Sequence, residues 1–150
     1  MKKIVAIILS ITFLVNTAFA PVAFTNEERV LQVFNESFKN VQDVKWFNSG
    51  DSFTAYFTTN NIRTKITYDG NGRFQSSRRV VPLEYLPLNV VSEVKTKFSG
   101  KDIKEIVEFV EDNQVSYSIR IEDEINCWLI EALTNGDERE IARFKKVSER

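Results

Sequence analysis

The chain contains no histidine, one cysteine, one methionine, three prolines and five glycines among its 150 residues. Without histidine, Ser-His-Asp and Cys-His catalysis in their usual forms, most zinc sites and imidazole acid-base chemistry are excluded. The single cysteine, Cys127, excludes an intramolecular disulfide and lies too far along the chain to be an N-terminal lipid-attachment thiol. In the run Ile125 to Ile130 it reads as a small buried thiol of a strand. No charge of one sign dominates, since 20 basic residues face 21 acidic ones, so nucleic acid is not an expected partner. Long apolar runs are scarce as well, and the one at the N-terminus, Ile4 to Val15, is too short for a membrane span.

That short run is flanked by Lys2-Lys3 and by Ala18-Phe19-Ala20, the charged, apolar and small-residue zones of a secretory signal peptide. Residues 1–20 are therefore expected to be a signal peptide, which places the protein in the periplasm or outside the cell. Pro21 directly after Ala20 is a poor residue for a peptidase, so the cut is expected elsewhere near Ala18 to Ala23, the alternative being a segment retained as an anchor. The mature chain, about 130 residues, is long enough to bury a core without disulfides and spans no membrane.

What is present in abundance is internal similarity. Phe38 and Phe98, Phe47 and Phe109, and Asn71-Gly72 and Asn135-Gly136 recur at offsets that grow in small steps, as when loops lengthen and elements keep their order. Each half opens on an amphipathic helix. Thr25 with Glu28 forms a capping box ahead of Val30, Val33, Phe34 and Phe38, predicting a helix from about Asn26 to Lys39. Pro87 suits a first helical turn before Val90, Val91, Val94 and Phe98, and Gly100 suits its stop. Beyond each helix the period falls to two: Phe53, Ala55 and Phe57 alternate with Thr54, Tyr56 and Thr58, and Val115, Tyr117, Ile119 and Ile121 alternate with Ser116, Ser118 and Arg120. Turn signals at Ser49-Gly50-Asp51, Asn60-Asn61, Asp69 to Gly72, Asp112-Asn113 and Asn135-Gly136 then divide each half into about four strands.

The expected fold is α+β. Two tandem repeats, residues 21–82 and 83–150, each comprise one helix and a roughly four-stranded antiparallel meander, with helices on one sheet face and the other face open. The linker around Pro82 and Pro87 is too short to be flexible, which predicts one compact two-lobed unit. The halves differ in charge: residues 21–82 carry 8 basic and 6 acidic side chains, and residues 83–150 carry 10 and 15.

Individual motifs carry little chemistry. Asp69 to Gly72 has Arg73 where a calcium loop needs an oxygen ligand, and a hairpin turn accounts for it. Glu122-Asp123-Glu124 reads as a solvated hairpin tip. No catalytic, metal or cofactor residues are assigned, and no cofactor is expected. The aromatic residues are more suggestive, because Trp and Tyr beside Arg resemble a protein-binding surface. Alternation alone points Tyr56, Thr54, Thr58, Ser116, Ser118 and Arg120 toward the open face. Trp46, Tyr85 and Trp128 complete the candidate protein-binding set, with Trp46 and Trp128 free to be core instead.

Together with the N-terminal segment and the tandem units, Val44-Lys45-Trp46, Phe53-Thr54-Ala55-Tyr56-Phe57 and Tyr68-Asp69-Gly70-Asn71-Gly72 resemble the small secreted PepSY-like proteins. That group is similar in architecture to β-lactamase inhibitory protein. The resemblance implies a tandem-repeat domain of the bacterial envelope or its exterior. In the inhibitor the open sheet face grips an enzyme, and for PepSY domains a peptidase-regulating role has been proposed. This chain departs from the inhibitor in lacking cysteine pairs, and its second half has Glu108 where the first has Trp46. The expectation is a non-enzymatic module engaging an envelope protein or peptide through the open face. The alternative is a small-ligand or metal-ion carrier using the groove between the lobes.

Overall fold

A computed structural model describes residues 25–146. The expected signal peptide lies outside them. Two helices and eight strands follow in the order α1 (Asn26–Ser37), β1 (Lys45–Ser49), β2 (Ser52–Thr59), β3 (Ile62–Asp69), β4 (Phe74–Val80), α2 (Leu88–Lys97), β5 (Asp102–Glu111), β6 (Gln114–Glu122), β7 (Asn126–Leu133) and β8 (Glu138–Lys145). A single 3-10 turn, Leu83–Tyr85, precedes α2. All eight strands form one antiparallel sheet in sequence order. The tandem α+β architecture expected from the sequence is therefore present, with both halves fused through β4 and β5.

The helices begin and end as their sequences dictate. Glu28 N–H donates to Thr25 Oγ1 at 3.2 Å and Thr25 N–H donates to Glu28 Oε2 at 2.8 Å, closing the capping box of α1. Pro87 sits at the N-cap of α2, one position earlier than a first-turn proline, and Phe98 is the C-cap there as Phe38 is in α1. Helix α1 ends at Ser37 rather than Lys39, because the backbone leaves the helical region at Phe38 and turns left-handed at Asn40.

Each helix packs its apolar stripe on the same face of the sheet. Val30 and Phe34 of α1 bury against Phe53, Ala55, Phe57, Ile66 and Tyr68. Val90 and Val94 of α2 bury against Ile106, Tyr117, Ile119, Ile121, Trp128 and Ile130. Each helix is also held by a hairpin turn that packs on it. Gly72, at φ +77°, has its Cα beside Val33, where a Cβ would come within 3.1 Å of Cγ2. At the matching place Gly136 abuts Asn89, whose Nδ2 donates to the Thr134 carbonyl at 3.0 Å. The two hairpin turns share one hydrogen-bond pattern: Asp69 N–H to Arg73 O and Gly72 N–H to Asp69 O, against Leu133 N–H to Asp137 O and Gly136 N–H to Leu133 O.

Several of these turns use carboxylates as acceptors. Asp69 Oδ1 accepts from the N–H groups of Asn71 and Arg73, and Asp123 Oδ1 accepts from those of Ile125 and Asn126. The bond from Arg73 chiefly holds the Asp69 carboxyl below its ordinary 3.8, the bond from Asn126 does the same for Asp123, and the backbone N–H of Thr25 lowers Glu28 from 4.5. Lowered folded values mean stability that is complete above the ordinary carboxyl range and lost as pH falls through the folded values. The melting temperature should hold from neutrality to mild acid and drop below about pH 4. The Asp69→Ala, Asp123→Ala variant should melt lower at pH 7 and lose less on acidification, as read by circular dichroism.

Candidate functional site

Two surfaces remain once the helices are in place: the open face of the sheet, and a groove on the covered face bordered by α1 and the 3-10 turn. On the open face, directly opposed residues of antiparallel strands share a side, so register alone defines rows of neighbours. One row runs Lys45, Tyr56, Lys65, Arg78, Phe109, Ser116, Leu133 across β1 to β7. Its aromatic and cationic members touch. Lys65 Nζ lies 5.8 Å from the Tyr56 ring centroid, Arg78 lies at the same distance from Phe109, and Phe47 meets Tyr56 edge to face at 5.2 Å.

Phe47 is 60 % exposed and Tyr56 41 %. A depression of about 640 Å³ lies over this row, lined by Lys45, Tyr56, Lys65, Arg78 and Val80 among others, with Arg63 and the carboxylates of Asp43 and Glu105 also at its walls. Arg63 and Glu105 pair with each other at 3.5 Å. Lys45, Lys65 and Arg78 form no ion pair among the described residues. On the adjacent row Thr54 and Thr67 hydroxyls hydrogen-bond to each other at 3.2 Å.

The groove on the other face has a volume of about 530 Å³ and is lined by Val33, Phe38, Phe57, Ile62, Ile66, Phe74, Tyr85 and Val110, with Arg79 and Glu108 at the β4–β5 seam. Arg79 Nε and Nη2 both donate to Glu108 Oε1, at 2.7 and 2.6 Å. Glu108 is 7 % exposed, so this arginine supplies the partner that a buried carboxylate needs. Burial first and the Glu108 charge second push the Tyr117 hydroxyl above its ordinary value of 10.0. Among the described residues no group of three or more His, Cys, Asp or Glu side chains could hold a metal ion, and no helix is long and apolar enough to cross a membrane.

The structure divides the nine candidate residues. Tyr56, Thr54, Thr58, Ser116, Ser118 and Arg120 lie on the open face. Arg120 is neutralised there by Glu122 at 2.5 Å. Trp46 and Trp128 lie on the covered face. Trp46 packs edge to face on Phe34 at 5.1 Å, and Trp128, 6 % exposed, sits in the core beside Phe98 between Lys101 and Arg143. Their strands register Trp46 with Ala55 and Trp128 with Ile121, both core residues, which decides the side. Tyr85 is exposed in the 3-10 turn and borders the groove, not the open face. Cys127, expected to be buried, is half-buried on the open face opposite Phe144.

Lys45, Phe47, Lys65, Arg78 and Phe109 were missed. For Lys65 a signal is present in the chain: the two-residue turn at Asn60-Asn61 opposes Thr58 with Arg63 and Tyr56 with Lys65, so β3 alternates against β2.

No protein-family model matches the sequence, and no curated protein matches it. Solved structures do. A BLIP-like protein from Bacteroides fragilis aligns with a TM-score of 0.59 at 13% identity, over 83% of this chain and 90% of that one. A DUF2874 family protein from Bacteroides uniformis aligns at 0.60 and 15%, over 78% and 87%. The fold is that of the BLIP-like and DUF2874 proteins. A Bacteroides eggerthii protein described as a candidate periplasmic protein aligns at 0.61 and 12%, over 79% and 87%. The BLIP-like architecture spans nearly the whole described chain, and at these identities the likeness establishes the fold alone.

Breaking the Arg79–Glu108 pair from one side should cost more than removing it. Arg79→Ala leaves the Glu108 charge buried and should destabilise by about 2 kcal/mol, whereas Arg79→Met with Glu108→Leu should recover most of that loss. Urea unfolding of the single and double variants measures both.

Proposed function

We propose that the chain is an exported, non-enzymatic binding module that engages a protein or peptide through the open face of its sheet. The carrying observation is the row of touching aromatic and cationic side chains on a sheet face that no helix covers. Aromatic side chains bury large areas at little entropic cost, and Tyr and Arg concentrate binding energy at protein interfaces. Two further features support the reading. The absence of histidine removes the commonest acid-base chemistry, and the BLIP-like fold belongs to an architecture whose namesake is an inhibitor. Export rests on the charged, apolar and small-residue zones of residues 1–20 and accords with the candidate periplasmic protein of the same fold.

The test is recovery of partners from the native envelope and medium by immobilised protein. Phe47→Ala with Tyr56→Ala should reduce recovery about tenfold or more, and Tyr85→Ala, on the opposite side, should leave it unchanged. Equal recovery by all three proteins rejects the open face.

The groove supports a second reading, a carrier of a small apolar ligand. Its favouring observation is an apolar cleft of about 530 Å³, in the size range of ligand sites, with one ion pair at its floor. Calorimetry with calcium and a panel of amphipathic metabolites separates the readings. A reproducible one-to-one heat abolished by Phe38→Trp, which fills the groove, favours the carrier, and no heat rejects it.

A further inference from the structure

The open face is asymmetric in charge. Lys45, Lys65 and Arg78 project from β1, β3 and β4 in one cross-strand row, and none is neutralised by a carboxylate among the described residues. Farther along the sheet the open face carries charges that are already paired, Glu122 of β6 with Arg120 and Lys146 and Glu131 of β7 with Arg139, together with Glu111 of β5, which forms no ion pair among the described residues. An uncompensated cationic row beside a stretch of paired charges selects by sign and by length: it attracts negative charge confined to the row and offers no free cation to negative charge extending past it.

Resting on the binding reading above, we infer that the occupant of this face is a short acidic segment of a partner protein, its carboxylates seated on Lys45, Lys65 and Arg78 and its apolar atoms on Phe47 and Phe109. Protein carboxylates fit better than a polyphosphate or an anionic membrane for two reasons. A nucleic acid or a bilayer presents continuous negative charge, which would find Arg120, Arg139 and Lys146 already paired with glutamates and Glu111 of β5 unpaired. Two of the three cations, Lys65 and Arg78, also sit against aromatic rings, so the surface pairs charge with apolar area, as a mixed protein segment does. The two cation–π contacts hold the Lys65 and Arg78 side chains over rings before any partner arrives, which lowers the cost of ordering them.

A displayed library of random twelve-residue peptides, panned on the full chain and on its Lys65→Glu, Arg78→Glu variant, tests this. Both substitutions lie on the uncovered face, and circular dichroism verifies that the variant folds. A Lys65→Gln, Arg78→Gln variant provides a neutral control. Peptides enriched on the wild type should carry clustered Asp and Glu, bind the Gln variant about tenfold more weakly, and weaken as salt rises from about 50 to 300 mM. The Glu variant should enrich basic peptides instead. Enrichment without acidic bias, or equal binding to both variants, overturns the carboxylate assignment and leaves the binding face standing. Failure to enrich any peptide on either protein overturns the face itself. Tighter capture of oligothymidylate or phosphatidylglycerol vesicles than of the enriched peptides overturns assignment to a protein partner.

Discussion

The pairing of β4 with β5 is the contact on which the molecule depends, because it converts two half-open meanders into one sheet. A four-stranded meander with a single helix has two exposed edges, and each edge offers unpaired N–H and C=O groups to any passing chain. Joining Ser76 to Glu111 through Val80 to Val107 removes one edge from each half, and Val81 N–H extends the seam by donating to Ile106 O at 2.9 Å. The seam is also where the apolar content is lowest, since β4 reads Phe-Gln-Ser-Ser-Arg-Arg-Val. Backbone hydrogen bonds, one buried ion pair and a small apolar contact in which Ile62 and Val81 join the core of Ile106 therefore hold the halves in register, and a row of side chains can continue from β1 to β7 without interruption.

The same seam explains why the covered face is not fully covered. Helix α1 is pinned over β2 and β3 by the Gly72 turn, and α2 over β6 and β7 by the Gly136 turn. Both clamps lie at the third hairpin of their own half, so neither helix rests on β4. What remains above β4 is the groove, and its floor residues are polar because no helix buries them: Ser77, Arg79 and Glu108. Replacement of a core tryptophan by Glu108 at the position matching Trp46 thus follows from place in the sheet. Trp46, on the edge strand, lies under α1; Glu108, on an interior strand, lies beside the seam and has Arg79 as partner.

Much of this was legible in the chain, and the exceptions have physical reasons. The helices were readable because Val30 and Phe34, and Val90 and Val94, repeat at helical spacing behind recognisable caps. The strands β2 and β6 were readable because one face is buried and the other wet, giving a clean alternation. The sides of Trp46 and Trp128 were not, since apolar neighbours flank both and only register with Ala55 and Ile121 separates the faces. The cationic row was not legible from any one segment either. Lys45, Lys65 and Arg78 are spread over more than thirty positions and become neighbours only when three hairpins close in register, a property of pairing rather than of composition.

The two halves therefore preserve what folding needs and differ where contact with another molecule would be made. Residues facing the helices are conserved in kind between halves: Phe38 with Phe98, Val30 with Val90, Gly72 with Gly136. On the open face Phe47 and Phe109 also correspond, yet the charges around them do not. Phe47 lies beside unpaired cations, whereas the half that begins with Phe109 continues into glutamates and arginines that neutralise one another, Arg120 with Glu122 and Arg139 with Glu131. A charge already satisfied within the sheet has little electrostatic energy left for a partner, and an unsatisfied one on a pre-ordered strand has most of it. The binding capacity of a pseudo-symmetric sheet is in this way concentrated in one half by the pairing of charges in the other.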